Sequence, residues 1–342
     1  MKKTRLKQLA LITFLALSLF SCNEDERETL DTEYSITGFA SRRQNLSFFF
    51  EALNRTGLSG VLSQSGSYTV FAPLNDAFTT FFNANGYTDV ESVPVPILKN
   101  LLLNHVISNE ISTNSILATG GYASTLSPIN DSNGAPTISM FLIKTGNEVI
   151  INGGDTNKGI VIKTEDDANI ININATNGII HIVKKIIEIP TVVNHVVANP
   201  QFDTLQTVVT SVSGAFGDQS AVLAALNGLT AAAPATVFAP DNAAFTAATT
   251  GTGFAVNATP AQVSKVLQYH VTVAGNVRSN QLTNNQVIPM ITSPVQNTTA
   301  ILGSGTVDIR DFANNLARVN QADIQCSNGV IHGINRVLQP QL

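Results

Sequence analysis

Apolar residues recur at three- and four-residue spacing in two separate parts of the chain. They are Leu46, Phe49, Phe50 and Leu53 in the first part and Phe202, Leu205, Val208, Val209 and Val212 in the second. This spacing places the side chains on one face of an α-helix. Glycines follow both patterns, at Gly57 and at Gly214, as expected where a helix ends. Each part therefore opens with an amphipathic helix.

A short β-branched and aromatic run follows each of these helices. Tyr68 to Phe71 predicts a buried strand, and Pro73 must end it because proline lacks the amide donor of a strand ladder. The polar pair Asn75-Asp76 comes next, and its counterpart in the second part is Asp241-Asn242. Such side chains accept hydrogen bonds from the free amides of a helix's first turn. The sequence therefore predicts a strand, a capped helix start and an inward-pointing aromatic, Phe78.

The later portion of each part alternates apolar and polar residues in short segments. These segments are 137–143, 148–152 and 159–163, then 286–291, 306–310 and 316–320. Asn-Gly pairs precede two closing strands, predicted at 179–187 and 330–338 and ended by Pro190 and Pro340. Helices grouped early and strands grouped late indicate an α+β fold with a mostly antiparallel sheet.

The two parts are copies of one domain. TVFAPLNDAF at 69–78 returns as TVFAPDNAAF at 236–245, LNHV at 103–106 as QYHV at 268–271, and NGIIH at 177–181 as NGVIH at 328–332. The three matches occur in the same order, which is the signature of a tandem repeat. We place the first domain at 35–190 and the second at 191–342, close enough to share an interface.

The beginning of the chain reads as a lipoprotein leader. Residues 1–21 carry four basic residues and then an apolar run, 9–20, that is too short to span a bilayer. Ser21 before Cys22 resembles the lipobox of bacterial lipoproteins, so Cys22 is the predicted lipidation site. Residues 22–34 form a polar, acidic tether, and the acidic run at 24–26 resembles the surface-export tag of lipoproteins in the Bacteroidetes. We expect an outer-membrane lipoprotein, at the cell surface or facing the periplasm.

Charge and cysteine content exclude two classes of protein. Removing residues 1–21 leaves 15 basic and 24 acidic residues, a net charge of −9, and the basic residues are scattered, so nucleic acid is not the expected partner. Lipidation would use Cys22, which leaves Cys326 alone and precludes an intramolecular disulfide. Cys326 lies in an apparent strand and is expected to be a buried thiol.

No catalytic, metal or cofactor motif stands out in the chain. Five isolated histidines and no cysteine pair predict neither a metal site nor a bound cofactor. The acidic run at 165–167 has no acidic counterpart in the second copy and is interpreted as a solvated turn. Distant carboxylates such as Asp155, Glu165, Asp308 or Asp323 could still meet in space as a glycosidase pair. The expectation is that the protein is not an enzyme.

Together the repeated blocks resemble the fasciclin, or FAS1, family. The second copy fits more closely, because Asn104 replaces the expected tyrosine in the first. The resemblance implies tandem domains, each a β wedge with flanking helices, and a role in adhesion or extracellular binding. It also implies binding positions at Tyr269 and His270, with Asn104 and His105 as their counterparts. From the residues alone, a histidine after an apolar helix is also typical of a buried, hydrogen-bonded side chain.

Three hypotheses for function follow. The leading one is a lipid-anchored envelope protein that mediates adhesion or binds an extracellular protein or glycan. The alternative is an envelope scaffold subunit that associates with an outer-membrane complex of the polysaccharide-uptake type. The remote alternative is a glycan-acting enzyme.

Overall fold

The computed structural model describes residues 34–130, 134–163, 171–250, 253, 255 and 257–342. The predicted leader, Cys22, residues 23–33 of the tether and the acidic run at 165–167 lie outside these residues. In the first domain the helices are α1 (Ile36–Ser41), α2 (Ser47–Arg55), α3 (Leu58–Val61), α4 (Asn75–Asn85) and α5 (Val95–Asn104). Its strands are β1 (Tyr68–Pro73), β2 (Val106–Ile107), β3 (Gly121–Pro128), β4 (Thr137–Thr145), β5 (Glu148–Ile151), β6 (Ile160–Lys163), β7 (Ile173–Ala175) and β8 (Gly178–Val183).

The second domain repeats this order of elements. Its helices are α6 (Val192–Ala198), α7 (Asp203–Val209), α8 (Ser220–Asn227), α9 (Asn242–Thr249) and α10 (Pro260–Gln268). Its strands are β9 (Ala235–Pro240), β10 (Val271–Thr272), β11 (Val287–Pro289), β12 (Asn297–Gly303), β13 (Thr306–Arg310), β14 (Leu316–Cys326) and β15 (Gly329–Ile334). Short 3₁₀ turns at Gln44–Leu46 and Pro200–Phe202 precede α2 and α7.

Both sheets are mostly antiparallel, as predicted for an α+β fold. The strand order is β6-β5-β4-β3-β2-β1-β8-β7 in the first domain and β10-β9-β15-β14-β13-β12-β11 in the second. One pair of strands in each described sheet is parallel, β1 with β8 and β9 with β15. These parallel pairs join the TVFAP block to the NG(I/V)IH block, so two repeated motifs that lie far apart in sequence are neighbouring strands toward one edge of each sheet.

The closing strands are shorter than the sequence predicted. They end at Val183 and Ile334, not at the predicted 187 and 338, and the prolines at 190 and 340 do not end them. The chain bends at 184–185 and at 335–336. After each bend, a backbone N–H donates to a histidine ring instead of to the strand ladder: Ile187 to His105 and Leu338 to His270. The prediction of long closing strands was therefore wrong.

Each domain buries its apolar side chains on both faces of its sheet. In the first domain the helices and β1 enclose a cluster that includes Phe49 and Phe78, and the other face buries Met140 and Val149 among β4–β6. The second domain has the corresponding pair of clusters. A fully buried phenylalanine contributes about 2–3 kcal/mol through removal of its ring from water. The cores therefore hold by packing.

The predicted helix cap is present in the second copy and absent from the first. Asp241 Oδ1 accepts from the Ala244 amide 2.8 Å away, as expected of a capping residue. In the first copy Leu74 occupies the cap position and makes no side-chain bond. Asn75 instead accepts from the Phe48 amide at 3.0 Å and so holds α2 against α4. The cap predicted for the first copy was wrong.

The two domains share an extensive interface. Phe141 and Ile143 of β4 pack on Ala198 of α6. The Ser139 hydroxyl accepts from the Gln325 amide at 2.9 Å. The carboxamide of Asn157 donates to the Asn194 carbonyl at 2.7 Å, and that of Asn194 donates back at 2.8 Å. The expected contact between the domains is confirmed.

Candidate functional site

The histidines of the LNHV and QYHV blocks occupy the same position in both domains. His105 Nδ1 lies 2.8 Å from the Leu101 carbonyl, and its Nε2 accepts from the Ile187 amide at 2.9 Å. His270 repeats this with Val266 at 2.7 Å and Leu338 at 2.8 Å. Each ring therefore ties the end of a helix to the chain that follows the closing strand. The carbonyl on one side and the amide on the other fix the neutral tautomer with its proton on Nδ1.

Burial keeps both rings neutral. It lowers the pKa of His105 and of His270 to about 4, and the hydrogen bond to the helix carbonyl opposes this only in part. Since Nδ1 donates and Nε2 accepts inside the protein, neither ring has a free lone pair for a metal ion or a substrate proton. These histidines are structural groups in the described fold.

The two neighbouring residues predicted to bind a ligand are also buried. The Asn104 carboxamide donates to the Ile187 carbonyl at 3.0 Å, and the Tyr269 hydroxyl donates to the Asn297 carbonyl at 2.6 Å. Burial, with the nearby charge of Asp311, raises the pKa of Tyr269 to about 12. The structure pairs Asn104 with His105 and Tyr269 with His270, one pair in each domain. All four side chains face the interior, so a ligand on the surface would not touch them; their binding role stays a prediction.

The NG(I/V)IH blocks provide a second duplicated set of internal bonds. Asn177 accepts from the Ile36 amide at 2.9 Å and donates to the Leu62 carbonyl at 2.8 Å. Its counterpart Asn328 accepts from the Val192 amide at 2.9 Å. Each asparagine thus fastens the domain's first helix to the closing hairpin. The repeated asparagines therefore connect segments more than 100 residues apart.

The threonine hydroxyl of each TVFAP block forms hydrogen bonds with the backbone of the segment that follows β2 in the first domain and β10 in the second. Thr69 donates to the Asn109 carbonyl at 2.6 Å and accepts from the Ile111 amide at 2.7 Å. Thr236 makes the same pair of bonds with Gly275 and Val277. Buried polar groups need such partners, and here the partners are backbone groups of the same domain. The repeated polar residues maintain the fold.

Serine, histidine and aspartate meet in the second domain without forming a catalytic triad. The Ser279 hydroxyl donates to Asp323 at 2.6 Å, whereas a nucleophile would donate to the histidine. His332 Nε2 faces the Val277 carbonyl at 2.9 Å. Burial alone would raise the pKa of Asp323, but the Ser279 bonds and the adjacent His332 and Arg278 lower it overall. The first domain has Asn172 and Thr113 in the matching places, which supports a structural role.

His195 is a buried residue whose importance the sequence did not reveal. It lies at the domain interface, where its ring meets that of Tyr122 edge-on at 5.4 Å. Neither ring nitrogen reaches a hydrogen-bond partner among the described residues, although the carbonyls of Ser139 and Gln325 are close. Burial lowers the pKa of His195 to about 4. Ile36 and Val192 are equivalent residues 156 positions apart, so His195 is the counterpart of buried Phe39. This alignment was the signal in the sequence that could have revealed it.

The remaining candidate chemistry is limited. Among the described residues, no three histidine, cysteine or acidic side chains gather as metal ligands. Cys326 is buried as predicted, and burial raises the pKa of its thiol well above the usual value. In the same part of the chain, none of the helices is long and apolar enough to cross a bilayer.

Comparison with known proteins identifies both copies. The family model described as Fasciclin domain matches residues 44–190 and 200–340. Protein sll1483 of Synechocystis sp. is 32% identical over 154 residues, which cover 43% of this chain and 81% of that protein. A fasciclin-like arabinogalactan protein of Arthroderma benhamiae is 27% identical over 309 residues, 88% of this chain but only 65% of its own length. The solved FAS1 domain pair of the insect cell adhesion molecule Fasciclin I aligns with a TM-score of 0.47 at 16% identity, over 86% of this chain and 97% of that one.

Proposed function

The chain belongs to the fasciclin family, and from this we propose that it is a lipid-anchored cell-envelope protein whose tandem domains bind an extracellular protein or glycan. Fasciclin domains generally serve adhesion or binding. The observation that supports the proposal most is the double set of internal bonds made by the repeated motifs. The polar groups of these motifs bond to other groups of their own domain, so they are not available to a substrate. We therefore assign function to binding through the exposed surfaces.

The proposal includes the absence of catalysis. In the described part of the second domain, the cluster of a serine, a histidine and an aspartate makes structural bonds: Ser279 donates to Asp323, and His332 bonds a backbone carbonyl. Asp308, a candidate for a carboxylate pair, is bound by Arg318. Arg318 donates hydrogen bonds to both oxygens of this carboxylate. Contact, not turnover, is the activity we propose.

Anchoring rests on Cys22 and can be tested with a matched cysteine. We predict that Cys22→Ser abolishes incorporation of labelled fatty acid and moves the protein from the membrane fraction to the soluble fraction. Each methylene of the acyl chains contributes about 0.8 kcal/mol to membrane attachment, so the loss of these chains removes that attachment. Cys326→Ala is the control, since that thiol is buried in the second domain. Retention of Cys22→Ser in the membrane after a high-salt wash would refute the anchor.

Orientation and partner are separate questions, answered on intact cells. Protease added outside the cells should remove the domains if they face outward, and leave them whole if they face the periplasm. Binding of the purified mature protein to matrix proteins and glycan surfaces tests the contact role. If the protein binds neither and instead co-purifies with an outer-membrane transporter after cross-linking, the scaffold hypothesis replaces adhesion.

A further inference from the structure

A polar groove of about 340 Å³ opens on the surface of the second domain. Three alanines of α9 contribute to its lining: Ala244, Ala247 and Ala248. Its polar lining residues come from the β13–β14 loop and the segment after β15: Asn315, Asn335, Arg336 and Gln339. A volume of this size is typical of small-ligand sites. Of the lining residues named here, only Ala244 belongs to a repeated block, and it has no polar side chain, so the groove's polar groups are separate from the internal bonds described above.

At the equivalent positions the first domain carries a larger aromatic side chain and a charged side chain that forms an ion pair. Asn75 and Asn242 make equivalent bonds, which aligns Phe81 with Ala248. Phe81 stacks on Tyr87 with ring centres 6.1 Å apart. Ile187 and Leu338 are likewise equivalent, which aligns Glu188 with Gln339. Glu188 forms an ion pair with Lys158 at 3.6 Å. The second copy carries Ala248 and Gln339 at the positions of Phe81 and Glu188, and both residues line the groove.

Two of the groove's polar side chains, Asn335 and Arg336, have hydrogen-bonding groups without an internal partner in the described part of the chain, whereas the Asn315 carboxamide donates to Asp311 at 3.1 Å. Asn335 uses its carbonyl oxygen to accept from the Arg318 amide, and its amide hydrogens have no partner among the described residues. Arg336 is exposed and forms no ion pair with any described carboxylate, whereas Arg55, Arg278 and Arg318 each have one. Its guanidinium is therefore available to a ligand carboxylate, which it can hold with two parallel hydrogen bonds.

We propose that this groove binds a carboxylate-bearing oligosaccharide, such as a chain of uronic acids. Carboxamides at 315, 335 and 339 match the hydroxyl pairs of a sugar ring, the exposed Ala247 of α9 offers an apolar contact to its C–H face, and Arg336 receives the carboxylate. A peptide is less well suited, because the groove offers no deep apolar side-chain pocket. The inference rests on the proposed binding function and specifies its ligand class.

The test uses the intact two-domain chain and a defined probe. Isothermal titration with a tetramer of galacturonic acid, and with its methyl ester as the uncharged match, measures the contribution of the carboxylate. Arg336→Ala removes the cation, and Ala248→Phe restores the ring that the first copy carries at this place. Lys185→Ala, at the position equivalent to Arg336 in the first domain, is the matched control. Circular dichroism melts establish that each variant is folded.

We expect the acidic tetramer to bind, the ester to bind at least tenfold more weakly, and Ala248→Phe to abolish both interactions. Arg336→Ala should lose about tenfold for the acid and little for the ester, and Lys185→Ala should match the parent. Absence of acid binding at about 10 mM probe, a concentration that nearly saturates a site with a Kd of about 1 mM, would overturn the inference, as would unchanged binding in folded Ala248→Phe. If the acidic tetramer does not bind but the chain binds a matrix protein or another glycan surface, the proposed binding function stands and only the ligand class is wrong. If the chain binds none of them, both the ligand class and the proposed function are wrong.

Discussion

Replacing His270 with alanine should destabilise the second domain by about 3–5 kcal/mol. The ring is buried, donates to the Val266 carbonyl at 2.7 Å and accepts from the Leu338 amide at 2.8 Å. Truncation leaves two buried backbone groups without partners, each costing about 1–3 kcal/mol, and a small cavity in addition. Since domains of this size are stable by about 5–15 kcal/mol, the loss is a large fraction of the total.

Urea titration followed by far-ultraviolet circular dichroism measures this effect, because the chain has no tryptophan to report by fluorescence. His105→Ala should have a matching effect on the first domain, since its bonds are the same. Thr246→Ala, an exposed change on α9, is the control and should shift stability by less than about 0.5 kcal/mol. A loss below about 1 kcal/mol for both histidine variants would show that the rings do not hold the fold.

Acid should unfold the protein near pH 5. His105, His195 and His270 have folded-state pKa values of about 4, below the ordinary value of 6.5. The unfolded chain therefore binds protons first, so the stability from these groups is complete above pH 6.5 and is lost as pH falls toward 4. Each group contributes a loss of about 2 kcal/mol at pH 5. Burial also lowers the pKa of His181 and His332, which adds to the effect in the same direction.

The interface histidine allows this explanation to be tested by substitution. His195→Phe places in the second domain the residue that Phe39 provides in the first, and it removes one titrating group. Tyr122 and Cys326 also lie at this interface, but burial raises both of their pKa values, so they stay neutral in acid. We expect the midpoint of acid unfolding to fall by several tenths of a pH unit. An unchanged profile in His195→Phe, or a parent stable at pH 4, would contradict the assignment.

The repeated blocks and the periodic spacing of apolar residues were enough to predict the number of domains and the main elements of each. The order of the blocks revealed two domains, and the β-branched runs located β1 and β9. Strand β3 was missed because Gly-Tyr-Ala-Ser-Thr-Leu-Ser-Pro lacks a clear alternation of apolar and polar residues. Its strand conformation is set by pairing with β4 across the sheet, which is tertiary information.

Residues at the domain interface and in the groove were less accessible to sequence reasoning. His195 has no repeated partner, and the pattern of the chain does not show that β4 would pack against α6. The groove depends on a difference between copies, Ala248 where the first domain has Phe81, and such a difference acquires meaning only after the two helices are superimposed. The repeated motifs are visible in the sequence because both copies need the same internal hydrogen bonds to fold.

The repeated motifs serve the fold, and we propose that binding occurs on other surfaces. Tyr269→Phe tests this division of roles most directly, since the substitution removes only the hydroxyl that bonds the Asn297 carbonyl. We predict a loss of about 1 kcal/mol in unfolding free energy and unchanged affinity for whichever matrix protein or glycan surface the parent binds. A folded Tyr269→Phe protein that has lost that binding would contradict the claim.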